Sequence, residues 1–276
     1  MKKGISIWTF PDRTPDVCFA LAKKYGFDGV EVGLGKTGPV RYDSTREEIE
    51  EYRKIGESYG MSFYSLVCDD CWENSLTSDN ADTRKKAEEI IIKQLEIASW
   101  LGCDTILILP GMLDCDGGKS IVPYDVAYER AVEEVRKLAV YAEKYGVVLG
   151  IENVWNKFLL SPLEMRNFID EVGSPWVKAY FDVGNVVVTG YPEHWIKILG
   201  NRIAKVHFKD FLRSDGTVNG FVDILKGDVN YPAVMEAFKK TGYVGWVTAE
   251  VFPEGSNCEP ILDINSRAID KILGGN

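Results

Sequence analysis

Short apolar runs rich in Val, Ile, Phe and Tyr alternate along this chain with longer stretches in which apolar side chains recur every three or four residues. The short runs are GISIWTF (4–10), GVEVGL (29–34), SFYSLVC (62–68), TILILPG (105–111), VLGIEN (148–153), VKAYFDVGN (177–185), IAKVHFKD (203–210) and GWVTAEVF (245–252). They show little strict alternation, which suits strands buried on both faces, as in a parallel sheet covered by helices. The longer stretches read as amphipathic helices; residues 84–101 and 124–145 are the clearest, with charges set between the apolar positions.

The residues between these segments agree with that reading. Helical stretches end at Gly26, Gly60, Gly102, Gly146, Gly173, Gly200 and Gly242, a place where the chain often needs positive φ. Ser161 precedes Pro162 with Glu164 at the capping-box position, which predicts a helix start there. Asp79 or Asn80 caps the third helix in the same way. Eight strands alternating with about eight helices predict one α/β domain over 1–276, a single (β/α)8 TIM barrel with its active site at the C-terminal ends of the strands. The competing fold, an open doubly wound sheet, would carry GxGxxG after its first strand, and no such motif stands there.

Composition narrows the partners. The chain has 276 residues, 45% hydrophobic and 27% charged, as ordinary globular proteins do. A net charge of −10 argues against a nucleic-acid backbone as partner. No apolar run approaches membrane-spanning length, and MKKGISIWTF reads as a first strand, not a signal peptide. The expectation is a cytoplasmic protein with no nucleic-acid or membrane partner, and a homodimer is the default assembly. The six cysteines are expected to be reduced. Cys68 and Cys71 form one CxxC, but with no second pair and no helix start at it they read as ordinary thiols beside the site.

The candidate chemistry lies at the downstream ends of runs five to eight, in Glu152, Asp182, His207 and Glu250; His207 is one of only two histidines in the chain. Neighbouring parallel strands lie roughly 5 Å apart, so such ends can share an ion. Three carboxylates gathered without a cation would repel. Three carboxylates and one imidazole suit one divalent ion, Mn2+ foremost, with Mg2+, Co2+ or Zn2+ also able to occupy such a set. Each residue taken alone reads equally well as a core polar group with a local partner; four on consecutive strands at one height do not.

With these residues in place, nearly the whole chain resembles the sugar isomerase and epimerase superfamily with xylose-isomerase-like barrels, which includes ketose 3-epimerases and inosose dehydratases. The resemblance implies that Glu152, Asp182, His207 and Glu250 bind one metal, often manganese, and that Glu152 and Glu250 move the proton. It also implies, through the stretch from His207 to Asp210 followed by Arg213, that Arg213 contacts substrate oxygens. Two positions depart from the ketose epimerases. Asn185 stands where they commonly carry a His, and Leu159 follows Asn156, Lys157 and Phe158 where they tend to carry a Glu. Both changes alter the groups expected around the substrate.

Other residues each have two readings. Trp8, Phe10, Trp72 and Trp155 either stack on a sugar face or fill the core. Glu31, placed at the end of strand two, either binds a substrate hydroxyl or is an exposed loop-end charge. Asp69 and Asp70 either reach substrate or form a solvated turn. Lys157, Lys209 and Arg213 suit a phosphate or carboxylate, with a surface salt bridge as the other reading of Lys157. His194 reads as structural or surface. The segment 211–230 reads as a lid or a phosphate-contacting loop, without a P-loop pattern.

The expected activity is metal-dependent epimerisation or isomerisation of a keto sugar or sugar phosphate. Proton removal beside the ketone leaves an enediolate whose charge a metal stabilises. Two carboxylates on opposite sides give epimerisation; one base moving a proton between adjacent carbons gives isomerisation. The alternative is a lyase or dehydratase acting on a keto-cyclitol or 3-keto glycoside after the same proton abstraction. Apurinic-site endonucleases share the barrel but use a histidine-rich cluster of several metals, which two histidines do not supply. A non-catalytic sugar-binding barrel would have no need of the ligand set.

Overall fold

The computed structural model describes residues 1–274; the last two positions of the expected domain, 275–276, lie outside the described residues. Eight parallel strands close a barrel: β1 (Lys2–Ser6), β2 (Gly29–Leu34), β3 (Ser62–Cys68), β4 (Thr105–Ile108), β5 (Val148–Glu152), β6 (Val177–Asp182), β7 (Ile203–Phe208) and β8 (Trp246–Ala249). Each strand pairs with its sequence neighbours, and β1 closes on β8 through Lys2 opposite Trp246 to Ile5 opposite Ala249. A strand–helix–strand crossover can lay consecutive strands side by side in this way, and eight repeats leave no edge unpaired.

The helices are α1 (Pro15–Lys24), α2 (Arg46–Ser58), α3 (Ala81–Leu101), α4 (Tyr124–Tyr145), α5 (Pro162–Val172), α6 (Pro192–Leu199), α7 (Tyr231–Thr241) and α8 (Glu259–Ile272). Their apolar stripes, such as Ile91, Leu95 and Ala98 on α3 and Val135, Leu138 and Ala142 on α4, are buried in a core continuous with the strands. All seven predicted helix-ending glycines take positive φ. Asn80, not Asp79, caps α3, accepting from the Asp82 N–H at 2.9 Å. At α5 only half of the expected capping box forms. Ser161 accepts from the Glu164 N–H at 3.2 Å, while the Glu164 carboxylate turns to the Leu160 N–H at 2.8 Å and to the Tyr124 hydroxyl.

Two short antiparallel ribbons decorate the C-terminal face: Asp114–Cys115 with Ser120–Ile121, and Asp210–Phe211 with Phe221–Val222. The second begins at Asp210 and otherwise lies within the 211–230 segment. Asp210 fixes it: its buried carboxylate accepts the N–H groups of Phe211, Leu225 and Val229 at 2.9, 3.0 and 3.0 Å. Among the described residues no helix is long and apolar enough to cross a membrane.

Candidate metal centre

Strand register brings the four predicted ligands together. Glu152 lies opposite Tyr180 on β6; Asp182, two residues on, lies opposite His207; and His207 lies opposite Thr248, two residues before Glu250. Side chains alternate along a strand, so residues that are opposite each other or two apart share a face. All four therefore point inward, and the two-residue steps between strands reflect the stagger that closes a barrel.

Their ligand atoms lie within 4.8 Å of one another, and all four residues are buried. His207 Nδ1 is 3.3 Å from Glu152 Oε1, 3.2 Å from Glu250 Oε2 and 3.8 Å from Asp182 Oδ2. Asp182 Oδ2, His207 Nδ1 and Glu250 Oε2 are buried with no aligned hydrogen-bond partner. A buried polar atom left without a partner is costly, and three aimed at one point call for a shared one. Carboxylate oxygens with an imidazole nitrogen are the donor set of a divalent cation, so these residues fit the expected metal.

A lysine already contributes positive charge there. Lys209 Nζ lies 2.6 Å from Glu250 Oε2 and 3.2 Å from Asp182 Oδ2, as close charge contacts without hydrogen-bond alignment. Its stem passes so near Gly184 that a β-carbon there would meet Lys209 Cβ at 2.8 Å. The sequence marked Lys209 only as a cation for an anionic substrate. The signal that was available is its place two residues beyond His207, on the inward face by period two.

The electrostatics divide the two glutamates. Burial lifts Glu152 to about 7, with the neighbouring Glu250 adding to the rise against the pull of His207. Burial also works against ionisation of Glu250, but Lys209 and His207 outweigh it and hold that carboxyl low. Burial raises Asp182, only partly offset by Lys209. Burial opposes the charge on His207, yet Glu31 and Glu250 outweigh it and drive its pKa well up.

Glu31 stands elsewhere than expected. It lies within β2, not at its end, and is fully buried behind the imidazole, away from any substrate. Its two oxygens are 3.0 and 3.1 Å from His207 Nε2. They also accept from Ser65 Oγ at 2.9 Å and from the Tyr180 hydroxyl. A carboxylate on the outer nitrogen fixes the ring so that Nδ1 faces the cluster. Gly150 makes room for this arrangement: a β-carbon there would come within 2.9 Å of both Tyr180 and the Ile106 carbonyl. Asn153, which follows Glu152, laces the strand ends together. It donates to the Asp182 carbonyl at 2.8 Å and accepts from the Asp182 N–H at 2.9 Å, and its own carbonyl accepts from Asn185 at 2.9 Å.

Above the cluster opens a cavity of about 980 Å³ with Glu152, Glu250, Lys209 and Asn185 at its floor and Trp8, Trp72 and Trp155 on its walls. Trp155 is fixed by its indole N–H on the Asn185 carbonyl at 2.7 Å. Other expected contacts lie outside the cavity. Arg213 donates to the Val187 and Gly190 carbonyls at 2.9 and 3.1 Å and sits over the Tyr191 ring, so the loop after β6 consumes it. Lys157 is exposed and paired with Asp114 at the surface. Phe10 is core, only 2% exposed. Asp69 accepts from Trp8 and Arg13, Asp70 accepts from Tyr42, and His194 lies beside Tyr191. All six cysteines are free, with Cys71 on the cavity wall.

Comparison with known proteins adds relatives to this geometry. The chain is 27% identical over 259 residues, 88% of its length and 85% of the relative's, to an Escherichia coli K12 protein whose assignment as an L-ribulose-5-phosphate 3-epimerase is provisional. It is 26% identical over 256 residues, 85% of its length and 78% of the relative's, to a D-psicose 3-epimerase of Enterocloster bolteae. The fold of Clostridium cellulolyticum D-psicose 3-epimerase, solved with D-tagatose, superposes with a TM-score of 0.81 at 21% identity, covering 99% of this chain and 98% of that one. The sequence model for xylose isomerase-like TIM barrels matches residues 19–271, and this chain belongs to that family.

Proposed function

We propose that the protein is a divalent-metal-dependent epimerase or isomerase of a keto sugar or sugar phosphate, with Glu152 and Glu250 as its proton-transfer pair. The observation that carries this reading is the position of those two carboxylates. They lie within 3.3 Å of one imidazole nitrogen, on strands flanking β6 and β7, and both open onto the cavity floor. The names of the relatives, epimerases of a ketose phosphate and of a free ketose, support the same class.

Glu152, Asp182, His207 and Glu250 would hold the metal. When bound, it supplies Lewis-acid polarisation of the ketone and offsets the negative charge that develops on proton loss. Burial lifts Glu152 to about 7 in the ion-free site, and a bound cation would lower it again and keep the carboxylate available as a base. Glu250 is held ionised by Lys209 and His207, so it meets the cavity as a carboxylate. Lys209 keeps positive charge beside the carboxylates as protons move. Trp8 and Trp155 offer ring faces to the C–H side of a sugar, and Asn185 offers polar contact at the floor.

The test is solvent deuterium uptake. With added Mn2+, keto sugars and their phosphates screened in heavy water are expected to show exchange at the acidic C–H. Glu152→Gln and Glu250→Gln are each expected to slow exchange by about 10²–10⁴-fold. Undiminished exchange in a variant with both epimers of the substrate removes that residue from the pair. An epimer that differs from the substrate in formula only by the deuterium taken up supports the two-base route, whereas a conjugated enone would assign the site to elimination.

A further inference from the structure

The loop between β7 and α7 supplies Val218, Phe221, Val222 and Lys226 to the cavity wall, and one carboxylate fastens it. The chain runs out through Phe211, returns through Phe221 as the short ribbon, and then wraps the Asp210 side chain. The fully buried Asp210 carboxylate accepts the N–H groups of Phe211, Leu225 and Val229. The wrap is tight. Leu225 takes φ 71°, a left-handed conformation that a leucine keeps only where its surroundings impose it. Gly227 lies so close that a β-carbon there would collide with Asp210 Oδ1 and come within 2.6 Å of the Phe211 nitrogen. A second anchor stands on α8, where the buried Asn265 accepts from the Ile224 N–H and donates to Asp223, at 2.8 Å each.

This fastening delivers an aromatic ring to the metal centre. Phe221 packs against Phe211 and Trp155, with ring centroids 5.1 Å apart in each pair. The Lys209 ammonium lies over the same ring, 4.9 Å from its centroid. Lys209 is held at its other points too. Gly184 lies against its stem, the Tyr231 hydroxyl donates to its carbonyl at 3.2 Å, and Nζ faces Glu250 and Asp182 at 2.6 and 3.2 Å. A lysine stem is flexible and rich in rotamers, so its ammonium stays on one pair of carboxylates only where neighbours remove the other positions.

We infer that Asp210 is a positioning residue for Lys209: it stitches down the loop whose Phe221 ring pins the ammonium onto Glu250 and Asp182. The consequence for an ion rests on the reading of the cluster as a metal site given above. Acylation of the metal-free full chain with acetic anhydride, followed lysine by lysine by peptide mass spectrometry, tests the pin without metal or turnover. Phe221→Leu removes the ring and keeps the loop anchors; Asp210→Asn and Gly227→Ala loosen the loop and keep the ring. Each is expected to speed acylation of Lys209 by about tenfold. Lys3 and Lys205, buried elsewhere in the barrel and paired with Asp270 and Asp104, should keep their rates. Equal acceleration of all three lysines, or an unchanged Lys209 rate in any of the three variants, would overturn the inference. In equilibrium dialysis the same variants should bind Mn2+ about threefold tighter, because a released ammonium can leave the carboxylates to the ion. Weaker or unchanged binding would overturn the inference as well, since general loosening of the fold does not tighten a metal site. A wild-type chain that binds no Mn2+ would instead sink the metal reading and leave the acylation rates to decide the pin.

Discussion

The two halves of the barrel share a backbone plan and differ in what they hold inside it. β5 to β8 carry Glu152, Asp182, His207 and Glu250 to one point. β2 and β3 bring Glu31 and Ser65 only to the back of that cluster, where Glu31 grips the outer nitrogen of His207 and the Tyr180 hydroxyl. The candidate ligands therefore lie in one half, and the carboxylate that orients the imidazole lies in the other. A uniform ring of strands lets the two meet across the barrel interior, because inward side chains from opposite strands converge. The division also explains why Glu31 is an acid in a fully buried position. Its charge is satisfied by three partners and is never offered to solvent.

Substitutions can break this division or sharpen it. The largest effect is expected in the coordinating half. Asp182→Asn removes a charged oxygen from a residue with no solvent exposure. Metal affinity, measured by equilibrium dialysis with Mn2+, should fall by more than roughly 100-fold, beyond the range typical of residues behind a ligand. Glu31→Gln should cost about 10–100-fold in the same assay, because the ring loses its carboxylate anchor but keeps its Nδ1. Equal losses in the two variants would make Glu31 as important as a ligand; no loss at Glu31 would show that the orienting half is dispensable.

The barrel and the convergence of Glu152, Asp182, His207 and Glu250 were legible because both are written in local patterns. Strand count, helix-ending glycines and the parity of inward residues need no knowledge of distant contacts. Glu31 was misplaced because nothing local tells which side of an imidazole a carboxylate from another strand will reach. The partners of Arg213 were not legible for a related reason, and for Lys157 the sequence left a surface salt bridge and an anion contact both open. A cation in a loop takes whichever partner the folded loops present, here the carbonyls of Val187 and Gly190 for one and Asp114 for the other. Lys209 was legible as a cation and illegible as a partner of Glu250, since that contact joins two strands about forty residues apart in sequence.

A smaller effect is expected where the halves touch. Gly150→Ala would place a methyl group within 2.9 Å of Tyr180, the residue that links β6 to Glu31, and of the Ile106 carbonyl. Backbone cannot yield as a side-chain tip does, so overpacking of about 1–3 kcal/mol is expected. A fall in the melting temperature of about 3–10 °C checks it. An unchanged melting temperature would show that Tyr180 moves freely, and that the orienting layer is softer than its hydrogen bonds suggest.

The most discriminating effect concerns Lys209, the cation that faces Glu250 and Asp182. Without a metal, its ammonium offsets the charge of Glu250 and Asp182 at 2.6 and 3.2 Å. With a divalent ion on the same oxygens, that ammonium faces a like charge at short range and in low dielectric. Lys209→Met removes both interactions and keeps most of the stem volume beside Gly184. The metal-free variant should melt about 5 °C lower, because two buried carboxylates lose their counter-charge. Its affinity for Mn2+ should nevertheless rise, by about tenfold, because the ion no longer competes with a resident cation. Opposite signs in the two measurements would identify Lys209 as an internal stand-in for the metal. A fall in both would mean that the lysine assembles the carboxylates into a shape the metal requires, and the coordinating half would then depend on a fifth residue for its geometry.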